Sequence, residues 1–96
     1  MQQFNDPYIC RVCAYKAARP FYKANGSPEY EICQCCGSES GYYDVTPQAV
    51  ESNRRVWIQK GALWMNLKLK PADWNLEEQL QSIGVNLKDY QEQIEK

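Results

Sequence analysis

The chain has 96 residues, a formal net charge of −1 and no histidine. This length suits one small domain with a modest core, and the lack of histidine excludes Cys2His2 zinc sites, Ser-His-Asp triads and Cys-His nucleophile pairs. Basic and acidic residues balance in both parts, four against five in residues 1–45 and seven against seven in residues 46–96. Because no basic stripe is present, nucleic acid is not expected as the main partner.

The composition also bears on the compartment. No stretch approaches the roughly 18–20 apolar residues of a membrane span, and residues 1–7 lack the basic start and apolar run of a secretory signal. Disulfide-rich secreted domains usually carry an even number of cysteines, whereas this chain has five. We therefore expect a cytoplasmic protein without a membrane association.

Residues 1–45 are predicted to form a metal-binding part of zinc-ribbon or rubredoxin type, with short β-hairpins around two cysteine knuckles. Asn25-Gly26-Ser27-Pro28 predicts a tight turn, because Asn-Gly tolerates positive φ and proline extends the residue before it. The alternation of polar and apolar residues from Glu29 to Ile32 predicts a half-buried strand that runs into Cys33.

Residues 46–96 are predicted to form two or three short helices packed on the first part, giving one compact α+β domain. Thr46-Pro47 predicts a helix start, with a hydroxyl cap followed by proline at the first helical position, and Gly61 predicts its end. The apolar stripe of this helix is expected to comprise Val50, Val56, Trp57 and Ile58.

Two further helix starts follow. Asn75 is a predicted cap with Glu78 at the capping-box position, and Gly84 is expected to close this helix. Its apolar face is predicted to hold Leu76, Leu80 and Ile83. Asn86 is the predicted cap of a last helix, whose shared face would hold Leu87, Tyr90 and Ile94.

Four of the five cysteines form two Cys-x-x-Cys pairs separated by nineteen residues. Two thiolates three positions apart can hold one cation, and two such turns complete a tetrahedron. Zinc is favoured over iron because it is the commoner metal in such sites. All four positions are then filled by protein, so the metal would be structural if zinc, an electron carrier if iron, and not a hydrolytic centre. The predicted ligands are Cys10, Cys13, Cys33 and Cys36.

The remaining chemistry-bearing residues each have two interpretations. Cys35, inside the second knuckle, is either a small packed side chain or a reactive thiol or alternate ligand whose pKa the nearby metal lowers. Trp64 and Trp74 are either core rings or anchors on a partner surface. The pair Arg54-Arg55 is expected on the solvated helix surface, with pairing to a partner's carboxylates as the alternative.

Two runs around the cysteines carry a family resemblance, Tyr8 to Tyr15 and Tyr30 to Tyr42, the second reading Tyr-Glu-Ile-Cys-Gln-Cys-Cys-Gly-Ser-Glu-Ser-Gly-Tyr. The second run is similar to the signature of the cysteine-rich CPCC family of small uncharacterised bacterial proteins, and the first run matches the first half of that pattern. The resemblance implies a zinc-ribbon-like module with the same four cysteine ligands. It continues through Arg55, Trp57, Ile58, Gly61, Trp64, Lys70-Pro71, Trp74 and Glu78-Gln79-Leu80.

Two positions depart from the family pattern. Gln34 stands where the family has proline, and Ala14 stands where it has glycine after the first knuckle. Because alanine disfavours positive φ, we expect the first turn to be either strained at Ala14 or differently shaped. Neither change removes a ligand.

Taken together, these features predict a non-enzymatic zinc-binding module that mediates protein–protein interaction, with the metal in a structural role. A rubredoxin-like iron electron carrier and a nucleic-acid-binding zinc ribbon are the alternatives. An enzyme that uses Cys35 as nucleophile is a further hypothesis.

Overall fold

Two α-helices, one 3-10 turn and a short helical stretch at residues 88–90 are the regular elements of the described residues. The computed structural model describes residues 6–90. Helix α1 spans Pro47–Gln59, the 3-10 turn spans Leu67–Leu69 and helix α2 spans Leu76–Gln81. Residues 6–45 form turns joined by isolated β-bridges. Within residues 6–90, no helix has the length and apolar character needed to cross a bilayer.

Helix α1 begins and ends where the sequence predicts. The Thr46 hydroxyl accepts a hydrogen bond from the Ala49 amide at 3.0 Å, and proline occupies the first helical position. At the other end Gly61 has a φ of 103°, and the Ala62 amide donates to the Trp57 carbonyl at 2.8 Å. This pattern is a Schellman motif, which requires a left-handed residue after the helix.

The apolar stripe of α1 differs from the predicted one at two positions. Val50, Trp57 and Ile58 are buried as predicted. Val56 is 44% exposed, whereas Arg54 is buried. The helical period explains the exchange, because position 54 lies four residues after Val50 and three before Trp57 and therefore shares their face.

Helix α2 is short and follows the predicted cap. The Asn75 side chain accepts from the Glu78 amide at 2.9 Å, and Leu80 is fully buried. Gly84, with a φ of 78°, follows the end of the helix. The Asn86 side chain accepts from the Lys88 amide and residues 88–90 are helical, whereas Ile94 lies outside the described residues.

The predicted β-hairpins are not formed as strands anywhere in residues 6–90. Single antiparallel bridges stand in their place, Ile9 with Lys16 around the first knuckle and Ile32 with Glu39 around the second. The prediction of a half-buried strand from Glu29 to Ile32 is wrong. Tyr30 has a φ of 57°, which interrupts an extended chain, and Ile32 is 48% exposed.

A tight turn forms near the predicted residues 25–28, but its hydrogen bonds close it over residues 23–27, and Pro28 already pairs with Tyr22. Gly26 has a φ of 92°, and its amide donates to the Lys23 carbonyl at 2.9 Å. The Ser27 amide donates to the side chain of Asn25 at 2.9 Å. Asparagine and glycine thus have the roles in this turn that their conformational preferences predict.

One cluster of buried side chains joins the knuckles to the helices. It includes Val12 and Phe21 from the first part of the chain and Trp57, Trp64 and Leu80 from the second. The turns end and helix α1 begins at its cap, Thr46, which is the first residue of the predicted helical part, 46–96. Because the core is shared, the helices lie directly against the cysteine knuckles.

Candidate metal centre

The two knuckles repeat the same pair of backbone hydrogen bonds. In the first knuckle the Cys10 amide donates to the Tyr15 carbonyl at 2.9 Å, and the Ala14 amide donates to the Cys10 carbonyl at 2.9 Å. In the second knuckle the Cys33 amide donates to the Ser38 carbonyl at 2.8 Å, and the Gly37 amide donates to the Cys33 carbonyl at 2.9 Å. The internal duplication of the sequence is therefore a duplication of local structure.

Each knuckle ends on a residue in the left-handed region. Gly37 has a φ of 83°, and Ala14 has a φ of 75° at the matching position. The predicted strain at Ala14 is confirmed, since an L-residue with a Cβ pays roughly 1–2 kcal/mol for this conformation.

The knuckles bring the four predicted cysteine sulfurs together. The Sγ atoms of Cys10, Cys13, Cys33 and Cys36 all lie within 4.8 Å of one another. Across the knuckles, Sγ of Cys10 lies 3.7 Å from Sγ of Cys36, and Sγ of Cys13 lies 3.5 Å from Sγ of Cys33. A tetrahedral zinc site with a Zn–S bond of about 2.3 Å has sulfur–sulfur edges of about 3.8 Å. The cluster therefore has the dimensions needed to hold one such ion, and the identity of the metal stays a prediction.

The electrostatics of the cluster favour a cation. Hydrogen bonds from the thiols of Cys10 and Cys13 hold the pKa of Cys36 far below its ordinary value. Burial raises the pKa of Cys13 well above its ordinary value, and the neighbouring thiols raise it further. A thiolate is thus favoured at Cys36, whereas ionisation of Cys13 is opposed by its burial. A divalent ion at the centre would allow all four sulfurs to ionise.

Arg54 supports the first knuckle from helix α1. Its Nε donates to the Val12 carbonyl at 2.7 Å, and its Nη2 donates to the Arg11 carbonyl at 2.7 Å. Nη1 donates to the Tyr90 hydroxyl at 3.0 Å. The prediction of a solvated surface position is wrong for Arg54, which is 7% exposed. The sequence signal for the burial of Arg54 is the position of this residue on the apolar stripe of α1.

The second knuckle receives the same support from the segment after α1. The Met65 amide donates to the Cys35 carbonyl at 2.9 Å, and the Asn66 amide donates to the Gln34 carbonyl at 2.9 Å. In both knuckles, therefore, the carbonyls of the two residues between the cysteines are hydrogen-bonded by the helical part of the chain.

Cys35 lies in the core beside the cluster. Its side chain is fully buried, and the Gln79 Nε2 lies 3.5 Å from its sulfur. The same Gln79 nitrogen donates to the Cys13 carbonyl at 2.9 Å, while its Oε1 accepts from Trp74 at 2.8 Å. These contacts fit the packing interpretation of Cys35, and they identify Gln79 as a link between α2 and both knuckles.

The tryptophans are mainly structural. Trp64 is 7% exposed and packs edge-to-face against Tyr15 and Trp74, at centroid distances of 5.4 and 5.6 Å. Trp74 is half-buried. A surface-anchor role for Trp64 is therefore wrong, and the exposed apolar groups are its neighbours, with Leu63 at 70% and Met65 at 59% exposure.

Comparisons with known proteins give one informative relative. No protein-family profile matches the chain, and no solved structure matches it. The uncharacterised protein YoaQ of Bacillus subtilis (strain 168) is 33% identical over a region that covers 56% of this chain and 59% of YoaQ. The chain thus spans less than two thirds of that relative. The resemblance to the CPCC family stays a prediction.

Proposed function

We propose that the chain is a non-enzymatic module in which four thiolates hold one structural Zn2+ and the surface built on that centre binds a protein partner. The observation that carries the proposal is the cluster of four sulfurs within 4.8 Å of one another, with cross-knuckle distances of 3.5 and 3.7 Å. These lengths suit a tetrahedral tetrathiolate ion. The resemblance to the zinc-ribbon-like CPCC proteins supports the same ligand set.

A structural role follows from the ligand set. Four thiolates fill a tetrahedral zinc ion and leave no position for water or substrate. A structural zinc contributes on the order of 10–16 kcal/mol at neutral pH, as much as a whole domain of this size gains on folding. Such thiols persist in a reducing compartment such as the cytoplasm.

A rubredoxin-like iron carrier is the second candidate, and the exposure of one ligand favours it. Cys36 is half-buried, whereas Cys10, Cys13 and Cys33 are buried. A partly exposed ligand would give electrons a short path between an iron and the surface. Zinc remains the first choice because it is the commoner metal in such sites.

Metal analysis of protein purified without added metal tests the proposal. We expect one zinc per folded chain, its loss in Cys13→Ser and its retention in the matched variant Cys35→Ser, because Cys35 is not in the cluster. Folded protein with far less than one metal per chain would contradict the structural role. A red protein whose visible absorption bleaches on reduction would establish the iron carrier instead.

A further inference from the structure

We infer that an exposed aliphatic band across the second knuckle docks a protein segment rich in aliphatic and acidic side chains, an inference that rests on the proposed interaction function. The band is defined by six large aliphatic residues, each between 44% and 71% exposed. Exposed apolar patches of this kind on small proteins mark interaction sites. The members are Ile32, Val56, Leu63, Met65, Leu67 and Leu69.

Residues 62–69, which carry four of the six band residues, are hydrogen-bonded to the second knuckle and to helix α1. Side chains alternate along residues 62–65. Ala62 and Trp64 are buried in the core at 5% and 7% exposure, whereas Leu63 and Met65 are exposed. The Met65 amide is bonded to the second knuckle, and the Leu63 carbonyl accepts from the Trp57 indole at 2.9 Å. A partner that covers these side chains therefore pays little to order the backbone beneath them.

Two hollows lined by four of the band residues border the second knuckle. On one side Leu63 and Val56 line a hollow of about 250 Å3. On the other side Leu69 and Ile32 line a hollow of about 350 Å3. Met65 lies over Gly37, which lines the first hollow, and an added Cβ there would stand 2.9 Å from the Met65 methyl carbon. An extended partner segment could thus place one aliphatic side chain in each hollow.

The charge around the band selects an acidic partner. Residues 52–72 contain five basic residues and no acidic one. Since Arg54 is buried and Arg55 pairs with Glu51, the three lysines of this stretch supply the charge near the band. Lys60, Lys68 and Lys70 are exposed. The salt bridges found within residues 6–90 involve other cations, so these three lysines have no carboxylate within 4.0 Å there. Carboxylates flanking the partner's aliphatic residues would complement them.

Selection of peptides from a random 12-residue library on the zinc-loaded protein tests this inference. We expect the enriched peptides to combine Leu, Ile or Met with Asp or Glu, and their binding to weaken as salt is raised. The double variant Leu67→Ser/Leu69→Ser should weaken binding at least tenfold, and Lys60→Glu/Lys68→Glu should weaken it and remove the salt dependence. The matched control Val45→Ser changes a side chain of 61% exposure outside the band and should stay within twofold.

Zinc content and circular dichroism of each variant separate a lost surface from a lost fold. Enriched peptides whose binding ignores the band variants would overturn the band while leaving an interaction module in place. Enrichment of basic peptides, or of none, would overturn the acidic partner. Band-dependent self-association in sedimentation, or binding to phosphatidylglycerol vesicles without any peptide binding, would assign the band to a second copy or to a membrane surface and likewise overturn the inference.

Discussion

Replacing Arg54 by methionine should destabilise the protein far more than any other change of a charged residue on α1. The substitution keeps most of the aliphatic stem and removes the guanidinium, which donates to the Val12 and Arg11 carbonyls at 2.7 Å and to the Tyr90 hydroxyl at 3.0 Å. Because Arg54 is 7% exposed, water cannot fully replace these donors.

The magnitude follows from the number of acceptors left behind. A hydrogen bond from a charged donor contributes about 1.5–3 kcal/mol, and a buried acceptor without a partner costs about 1–3 kcal/mol. Removal of the buried cation recovers part of its desolvation cost. We therefore expect the free energy of unfolding of the zinc-loaded protein to fall by about 3–4 kcal/mol. Lysine at position 54 should restore little, since one ammonium cannot bridge two carbonyls with the planar fork of arginine.

The assay is urea denaturation at fixed excess zinc, with chelator competition to follow the affinity for the metal. Arg55→Met is the matched control, because Arg55 is the adjacent cation. It forms a partly exposed i,i+4 ion pair with Glu51 and lies 5.1 Å from the centre of the Tyr90 ring, contacts worth about 1 kcal/mol or less each. The Arg54 variant should also bind zinc more weakly, since the first knuckle loses its support. Equal destabilisation by the two variants would refute the assigned role of Arg54.

Three further predictions concern single positions. Gly26→Ala should cost about 1 kcal/mol for its positive φ alone, and Gly41→Ala about 1–3 kcal/mol more, because an added Cβ there would lie 2.7 Å from a proline side chain; equal losses in thermal unfolding would contradict this. Burial and then the hydrogen bond to Asp44 raise the pKa of Tyr22, so its stabilising contribution is present below pH about 10 and is lost as the pH rises further; alkaline unfolding of Tyr22→Phe should lack this part of the loss. Cys35, fully buried, should resist iodoacetamide in the native zinc-loaded protein, and rapid modification would support the reactive-thiol hypothesis.

Local signals in the sequence predicted most of what is local in the structure. The caps at Thr46 and Asn75 and the stop at Gly61 each depend on a side chain or a φ angle within a few residues, and all three are confirmed. The cysteine spacing likewise predicted which four sulfurs meet, because each Cys-x-x-Cys pair defines its own turn and the two turns face one centre. The alternation before Cys33 was misleading, since a single bridge and a left-handed Tyr30 replace the expected strand.

Local sequence patterns did not predict the long-range contacts. Arg54 reaches carbonyls 42 and 43 residues away, and Gln79 reaches the Cys13 carbonyl across 66 residues. Polar residues on an apolar helix stripe are normally costly, so such a residue indicates a buried partner. That argument applies to Arg54 from the sequence alone, but it cannot say that the partner is a cysteine knuckle.

These long-range contacts couple the metal centre to the helices. In the proposed zinc-bound state the metal would fix the knuckles. Each knuckle presents two carbonyls that accept hydrogen bonds from the helical part, through Arg54 in one case and the Met65 and Asn66 amides in the other. If a chelator removes the metal, the carbonyls lose their fixed positions and their donors in the helical part are left without partners at the same time. We therefore expect the helical signal at 222 nm to fall together with the tryptophan near-ultraviolet signal on chelation, and to return with zinc. Helices that persist while the knuckles unfold would show that the carbonyl contacts do not couple the two parts.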